Sequence, residues 1–175
     1  MSGVEGDDRP RQPYREQVRT LADLAAQAAS LQPGADAAIA QCGGAWPVPD
    51  AAALELGRLS RCYSLLYEQL LRLEIDRELT ERRNELRSLL AYHLHMLRDA
   101  GDLAFSGRHD ERTEPFRREL AEGLGSYATR LLHLAAELRK SASLAADQPA
   151  DFAGSSRGEF ELDDVYLQGD GPQDE

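Results

Sequence analysis

Aromatic side chains make up only 6% of the 175 residues, and the apolar set, 42% of the chain, is dominated by leucine and alanine. Both favour helix over strand, and no alternation of apolar and polar residues is sustained, which excludes a fold built on sheets. Cysteine is nearly missing: Cys42 and Cys62 build neither a disulfide framework nor a metal-ligand spacing, and read as small buried or incidental thiols. Lysine is rarer still, with Lys140 alone among 20 basic residues, a bias that points to GC-rich coding rather than to an activity. No stretch approaches the length of a membrane span, and residues 1–13 contain no apolar leader, so the expectation is a soluble, cytoplasmic protein.

Positive charge is also in deficit. The net charge is −11, and most of it lies at one end: from Asp147 onward nine acids face one base, Arg157, leaving 22 acids against 19 bases before it. A weakly acidic body with a strongly acidic end does not attract phosphate backbones or anionic membranes by bulk charge, so no nucleic acid and no membrane partner is expected. A chain of this length buries enough apolar surface to fold as one domain.

What is present is helical periodicity. Tyr14, Val18, Leu21, Ala25 and Ala28 recur at spacings of four and three, predicting a helix over residues 14–30 that Pro33 and Gly34 stop. Residues 42–49 then read as a loop in which Trp46 plugs the end of a core. Asp50 is a candidate N-cap for the next helix, whose stripe is Leu59, Cys62, Leu66, Leu70 and Leu73 with Tyr63 beside it. Between residues 50 and 99 there is no proline, yet that stripe does not extrapolate onto the following one, Leu79, Leu86, Leu90, His93, Leu97 and Ala104. Either the chain turns near residues 76–80, where Thr80 could cap a new helix, or one long helix continues with a solvated middle laced by Arg77/Glu81 and Glu78/Arg82 pairs. Residues 101–112 read as a loop. Thr113 then caps a last helix carrying Phe116, Leu120, Leu124, Tyr127, Leu131, Leu134, Leu138 and Ala142, in which Gly123 and Gly125 mark a close helix crossing.

The expected fold is therefore all-α: an antiparallel, coiled-coil-like bundle of three to four long amphipathic helices over residues 13–146. A disordered N-terminus (residues 1–12) and a disordered acidic tail (residues 147–175) flank it. An unbroken helix over residues 50–99 would leave apolar seam uncovered and favour a homodimer; a break would let four helices close on themselves.

Candidate chemistry is thin. On a helical wheel His93 lies in the apolar stripe and His95 about 200° away; His133 lies off the stripe of the last helix, and no inward Glu-x-x-His pairs exist for a dimetal bundle. No metal and no cofactor is expected, and His93 reads as a buried histidine with one hydrogen bond. Arg87 and His93 bracket five residues, a spacing found in helical ribonucleases that dimerise around paired Arg and His motifs, but the two side chains point about 120° apart. Residues 72–88 hold as many acids as arginines, which cancels a phosphate-binding field. Gly123 and Gly125 follow no strand and form no phosphate loop.

These absences favour a non-enzymatic protein–protein interaction module (adaptor, regulator or assembly subunit), with the paired-motif ribonuclease or a small-ligand-binding helical regulator as alternatives. Its partner-facing element is expected in the tail, where Phe160, Leu162, Val165, Tyr166 and Leu167 form an apolar island among acids, suited to a basic or helical protein partner. The opposite expectation is that the island docks back on its own bundle as a lid, or does nothing.

Overall fold

The structure, a computed structural model, describes residues 12–44, 47–105 and 113–147. All regular structure among them is helical: α1 (Tyr14–Gly44), α2 (Asp50–Arg72), α3 (Thr80–Phe105), α4 (Glu114–Ala121) and α5 (Gly125–Asp147), with a 3₁₀ turn at Arg77–Leu79. Successive arms reverse direction. Tyr63 of α2 meets both Ala28 of α1 and His93 of α3, and Tyr92 of α3 meets Tyr127 of α5. The result is an antiparallel four-arm bundle whose last arm is divided into α4 and α5, with α1 touching every other helix. The start of α1, the α2–α3 turn and the end of α5 lie at the same end.

The first helix does not stop at Pro33. It continues through Gly44, so Cys42, Gly43 and Gly44 are helical rather than part of a loop. Tyr14, Val18, Leu21, Ala25, Ala28, Gln32, Ala35, Ile39 and Cys42 form one unbroken heptad seam, buried from Val18 onward. Pro33 is exposed and leaves the Ala29 carbonyl without its helical donor, a cost of about 3 kcal/mol. Burying Ile39 with Ala35, Ala38 and Cys42 contributes at least as much, at roughly 0.8 kcal/mol per buried CH₂, so the helix persists.

The second helix does break. Its buried stripe is Ala52, Leu56, Leu59, Tyr63, Leu66 and Leu70, centred on Tyr63 with Cys62 to one side. Residues 73–76 are non-helical, and no glycine or proline enforces this. Gln17 of α1 does: its side-chain amide donates to Asp76 Oδ2 (3.3 Å) and to the Gln12 carbonyl (2.6 Å), while its Oε1 accepts the Asp76 amide (2.7 Å). With the helix broken, an uncovered seam no longer argues for a homodimer. Arg82 reaches Glu85 and Glu137 rather than Glu78.

One cap assignment and one loop boundary shift. Pro49 occupies the N-cap of α2, and Asp50 sits in the first turn, where its charge still meets the helix dipole. Thr113 holds the N-cap position of α4 without a side-chain capping bond. Helix α3 runs to Phe105, so residues 101–105 are not loop. Trp46 and residues 106–112 lie outside the described residues.

Residues 122–124 split the last arm. Gly123 has φ +69°, and a Cβ there would sit 2.3 Å from Asp36 Oδ1; the same oxygen accepts the Leu124 amide at 2.7 Å. A second close approach, backbone to backbone, lies about two turns further along α1 at Gly43: a Cβ would lie 2.3 Å from the Ala121 nitrogen and 2.6 Å from the Arg117 carbonyl. Backbone atoms cannot yield as a side chain can, so Gly43→Ala should lower stability by about 2 kcal/mol or more. Gly57 in α2 has nothing within 4 Å of such a Cβ, and Gly57→Ala should raise stability by about 0.5–1 kcal/mol. Urea unfolding of the two variants checks the pair; equal effects would contradict the packing at Gly43.

Candidate interaction surface

The chemically distinctive side chains are buried together. His93 is fully inaccessible and stacks on Tyr63 at 5.2 Å between ring centroids; Tyr92 meets it edge-on. Its Nδ1 bonds to the Leu89 carbonyl at 2.8 Å, and Nε2 has no partner among the described residues. The carbonyl fixes the tautomer: Nδ1 carries the hydrogen and Nε2 the lone pair. Burial pushes the imidazole pKa below its usual value, countered only in part by the Leu89 bond and the charge of Asp36, so the ring is neutral. Burial also raises the Tyr63 phenol, which keeps its proton and donates to the Ala28 carbonyl at 3.0 Å.

This arrangement separates the residues that a nuclease site would need. Arg87 is exposed while His93 has no access to solvent. His95 faces water beside Asp99, and His133 is exposed. Among the described residues, no three of His, Cys, Asp and Glu come together in a way that could hold a metal ion. Cys42 is buried, which raises its thiol pKa and keeps it protonated.

Two surface features remain. Along the α3/α5 seam, Arg82 and Arg130 alternate with Glu85 and Glu137 in a closed four-residue network. All four are solvent-accessible, so each pair contributes at most about 1 kcal/mol, and with Tyr92 stacked on Tyr127 the network fastens α3 to α5.

The other feature is the outer face of the α2/α3 pair. An open groove of about 260 Å³ is lined by Ser64, Tyr67 and Glu68 of α2 and by Ala91, Leu94 and Arg98 of α3. The α2 side continues as a strip of small residues, Gly57, Ser60 and Ser64, followed by Tyr67 and Leu71 at helical spacing. The α3 side reads Arg87, Ala91, Leu94, Arg98, Asp102 and Phe105 in the same way. Leu71 is 53% exposed and Phe105 77%, so large apolar residues lie open toward the two ends of this face. Arg61, Arg87 and Arg98 make no ion pair or hydrogen bond among the described residues, whereas Glu68 is paired with Arg72 at 3.7 Å. The face thus offers a small-residue floor, apolar ends and unpaired guanidinium groups.

Sequence reading missed this face because it follows the buried stripes; the available signal was the run of small residues opposite Tyr63. The tail residues Phe160, Leu162, Val165, Tyr166 and Leu167 lie outside the described residues. Comparison of the chain with protein-family models, curated proteins and solved structures finds no match.

The buried imidazole makes stability depend on pH. Because the folded pKa of His93 is depressed from 6.5, the unfolded chain binds a proton that the folded one does not. Its stabilising effect is complete above about pH 6.5 and falls as pH drops toward the folded pKa, by up to about 1.4 kcal/mol per pH unit. Denaturant unfolding between pH 7.5 and pH 5.5 should show this slope in the wild type and a shallower one in His93→Leu; identical slopes would contradict a neutral, buried His93.

Proposed function

We propose that the chain is a non-enzymatic protein–protein interaction module, an adaptor, regulator or assembly subunit acting in the cytoplasm. It works through two elements: the α2/α3 face, which suits an acidic segment with apolar anchors, and the tail motif of Phe160, Leu162, Val165, Tyr166 and Leu167, which suits a helical or basic protein surface. The observation that carries the reading is the α2/α3 groove lined by Arg98, with Arg61 and Arg87 at neighbouring helical positions and all three unpaired among the described residues. An amphipathic segment laid in such a groove would bury apolar anchors while its acids meet the arginines. Among the described residues no helix is long and apolar enough to cross a membrane, which is compatible with this placement.

The ribonuclease alternative loses support from the separation of Arg87 and His93. The small-ligand alternative is weakened by an open groove of about 260 Å³, below the usual range of roughly 300–1,000 Å³ for ligand pockets.

Site-specific photocrosslinking in the cells that express the protein tests the reading. A crosslinker at Tyr67 should give an adduct with a defined protein, one at the exposed Ala37 of α1 should not, and Arg87→Glu with Arg98→Glu should cut the Tyr67 adduct at least about tenfold, the loss expected for roughly 1.4 kcal/mol. Equal yields at both positions, or no adduct at either, would overturn it.

A further inference from the structure

The chain contains a segment with the chemistry that its own α2/α3 face requires. Residues 160–167 carry Glu161, Asp163 and Asp164 among Phe160, Leu162, Val165, Tyr166 and Leu167. At helical period Leu162, Val165 and Tyr166 would share one side, with Glu161 and Asp164 beside them. The face offers the complement: a small-residue floor at Gly57, Ser60 and Ser64, exposed Leu71 and Phe105, and the unpaired Arg61, Arg87 and Arg98. We propose that residues 160–167 dock on the α2/α3 face of the same molecule and cover it until a partner displaces them.

Chain length and direction permit this. Helix α5 ends at Asp147, at the end of the bundle where the α2–α3 turn lies. Residues 148–159 separate that point from the motif, and a linker of this length spans up to about 40 Å when extended. Ser64 lies eight residues from the end of α2, about 12 Å along the helix, and crossing a bundle with helices 8–10 Å apart adds roughly 20 Å. The tether raises the local concentration of the motif to the millimolar range, so a contact too weak to form between separate molecules is populated within one.

Charge complementarity supports docking on this face. From Asp147 onward the chain carries nine acids against one base, which steers it toward unpaired arginines. On the α3/α5 seam Arg82 and Arg130 are already committed to Glu85 and Glu137, so that surface has less to offer an acidic segment.

The inference rests on the proposed function only in treating the covered face as the one partners use. Its test uses the full chain with Cys62→Ser and Gln168→Cys, carrying a nitroxide on the new thiol. Broadening of backbone amides should concentrate on residues 57–71 and 87–105 and spare the exposed side of α1. It should shrink severalfold in high salt, in Arg87→Glu with Arg98→Glu, and in Phe160→Ser with Tyr166→Ser. Absence of this pattern, or its location on α1 or α5, overturns the proposal. A labelled chain mixed with isotope-labelled, nitroxide-free chain reports docking between molecules; broadening confined to that mixture also overturns it. The two readings fail separately: without tail docking the broadening is lost while the Tyr67 crosslink persists, and without a partner the crosslink is lost while the broadening persists. If both hold, Phe160→Ser with Tyr166→Ser should increase the Tyr67 adduct severalfold.

Discussion

The carboxylate of Asp36 takes the backbone amide of Leu124 at 2.7 Å, at the one point where the last arm stops being a continuous helix. A hydrogen bond to a charged group contributes about 1.5–3 kcal/mol, more than the ion pairs on this surface. It also fixes geometry. Gly123, at φ +69°, brings the chain against Asp36, and the resulting change of direction lays α4 across the C-terminal part of α1, where Gly43 lets Ala121 approach and Arg117 donates to the Gly43 carbonyl at 3.2 Å. Asp36 lies on the part of α1 that follows Pro33, so this docking needs the helix to continue past the proline. The same charge contributes to the field at His93, linking the break in the last arm to the buried imidazole.

The general architecture was legible in the sequence because leucine and alanine at spacings of three and four leave little alternative to packed helices. Positions of breaks were less so, since two of them are decided by tertiary contacts. Pro33 looks like a stop, but Gln32, Ala35, Ile39 and Cys42 continue the heptad begun at Tyr14, and their burial outweighs one missing amide. The turn at residues 73–76 could be suspected only from a mismatch between stripes; its cause, the Gln17 side chain pinned to Asp76, lies 59 residues away in sequence. Gly123 is recognisable as a point of close approach and does meet α1 at Asp36, but the tightest backbone contact falls at Gly43, which a stop at Pro33 places in a loop.

The candidate surface was the least legible part. Stripe analysis finds what is buried, whereas the α2/α3 face is made from what is left over: serines and glycine on one helix, unpaired arginines on the other, and Leu71 and Phe105 in the open. His93 drew notice as a reactive residue type, yet its environment uses it as a flat, neutral packing element between Tyr63 and Tyr92. The imidazole is thus sequestered in the core, while Arg61, Arg87 and Arg98 stay unpaired among the described residues on the outside of α2 and α3.

Helix α1 serves as the common spine, and the α4 part of the last arm is fastened to it through Asp36. Native-state hydrogen exchange of the Leu124 amide, read in the wild type and in Asp36→Ala, tests this most directly. The account predicts slow exchange in the wild type. In the variant it predicts rapid exchange at Leu124 and through residues 114–121, with α2 and α3 still protected. A Leu124 amide that exchanges equally fast in both proteins would contradict it.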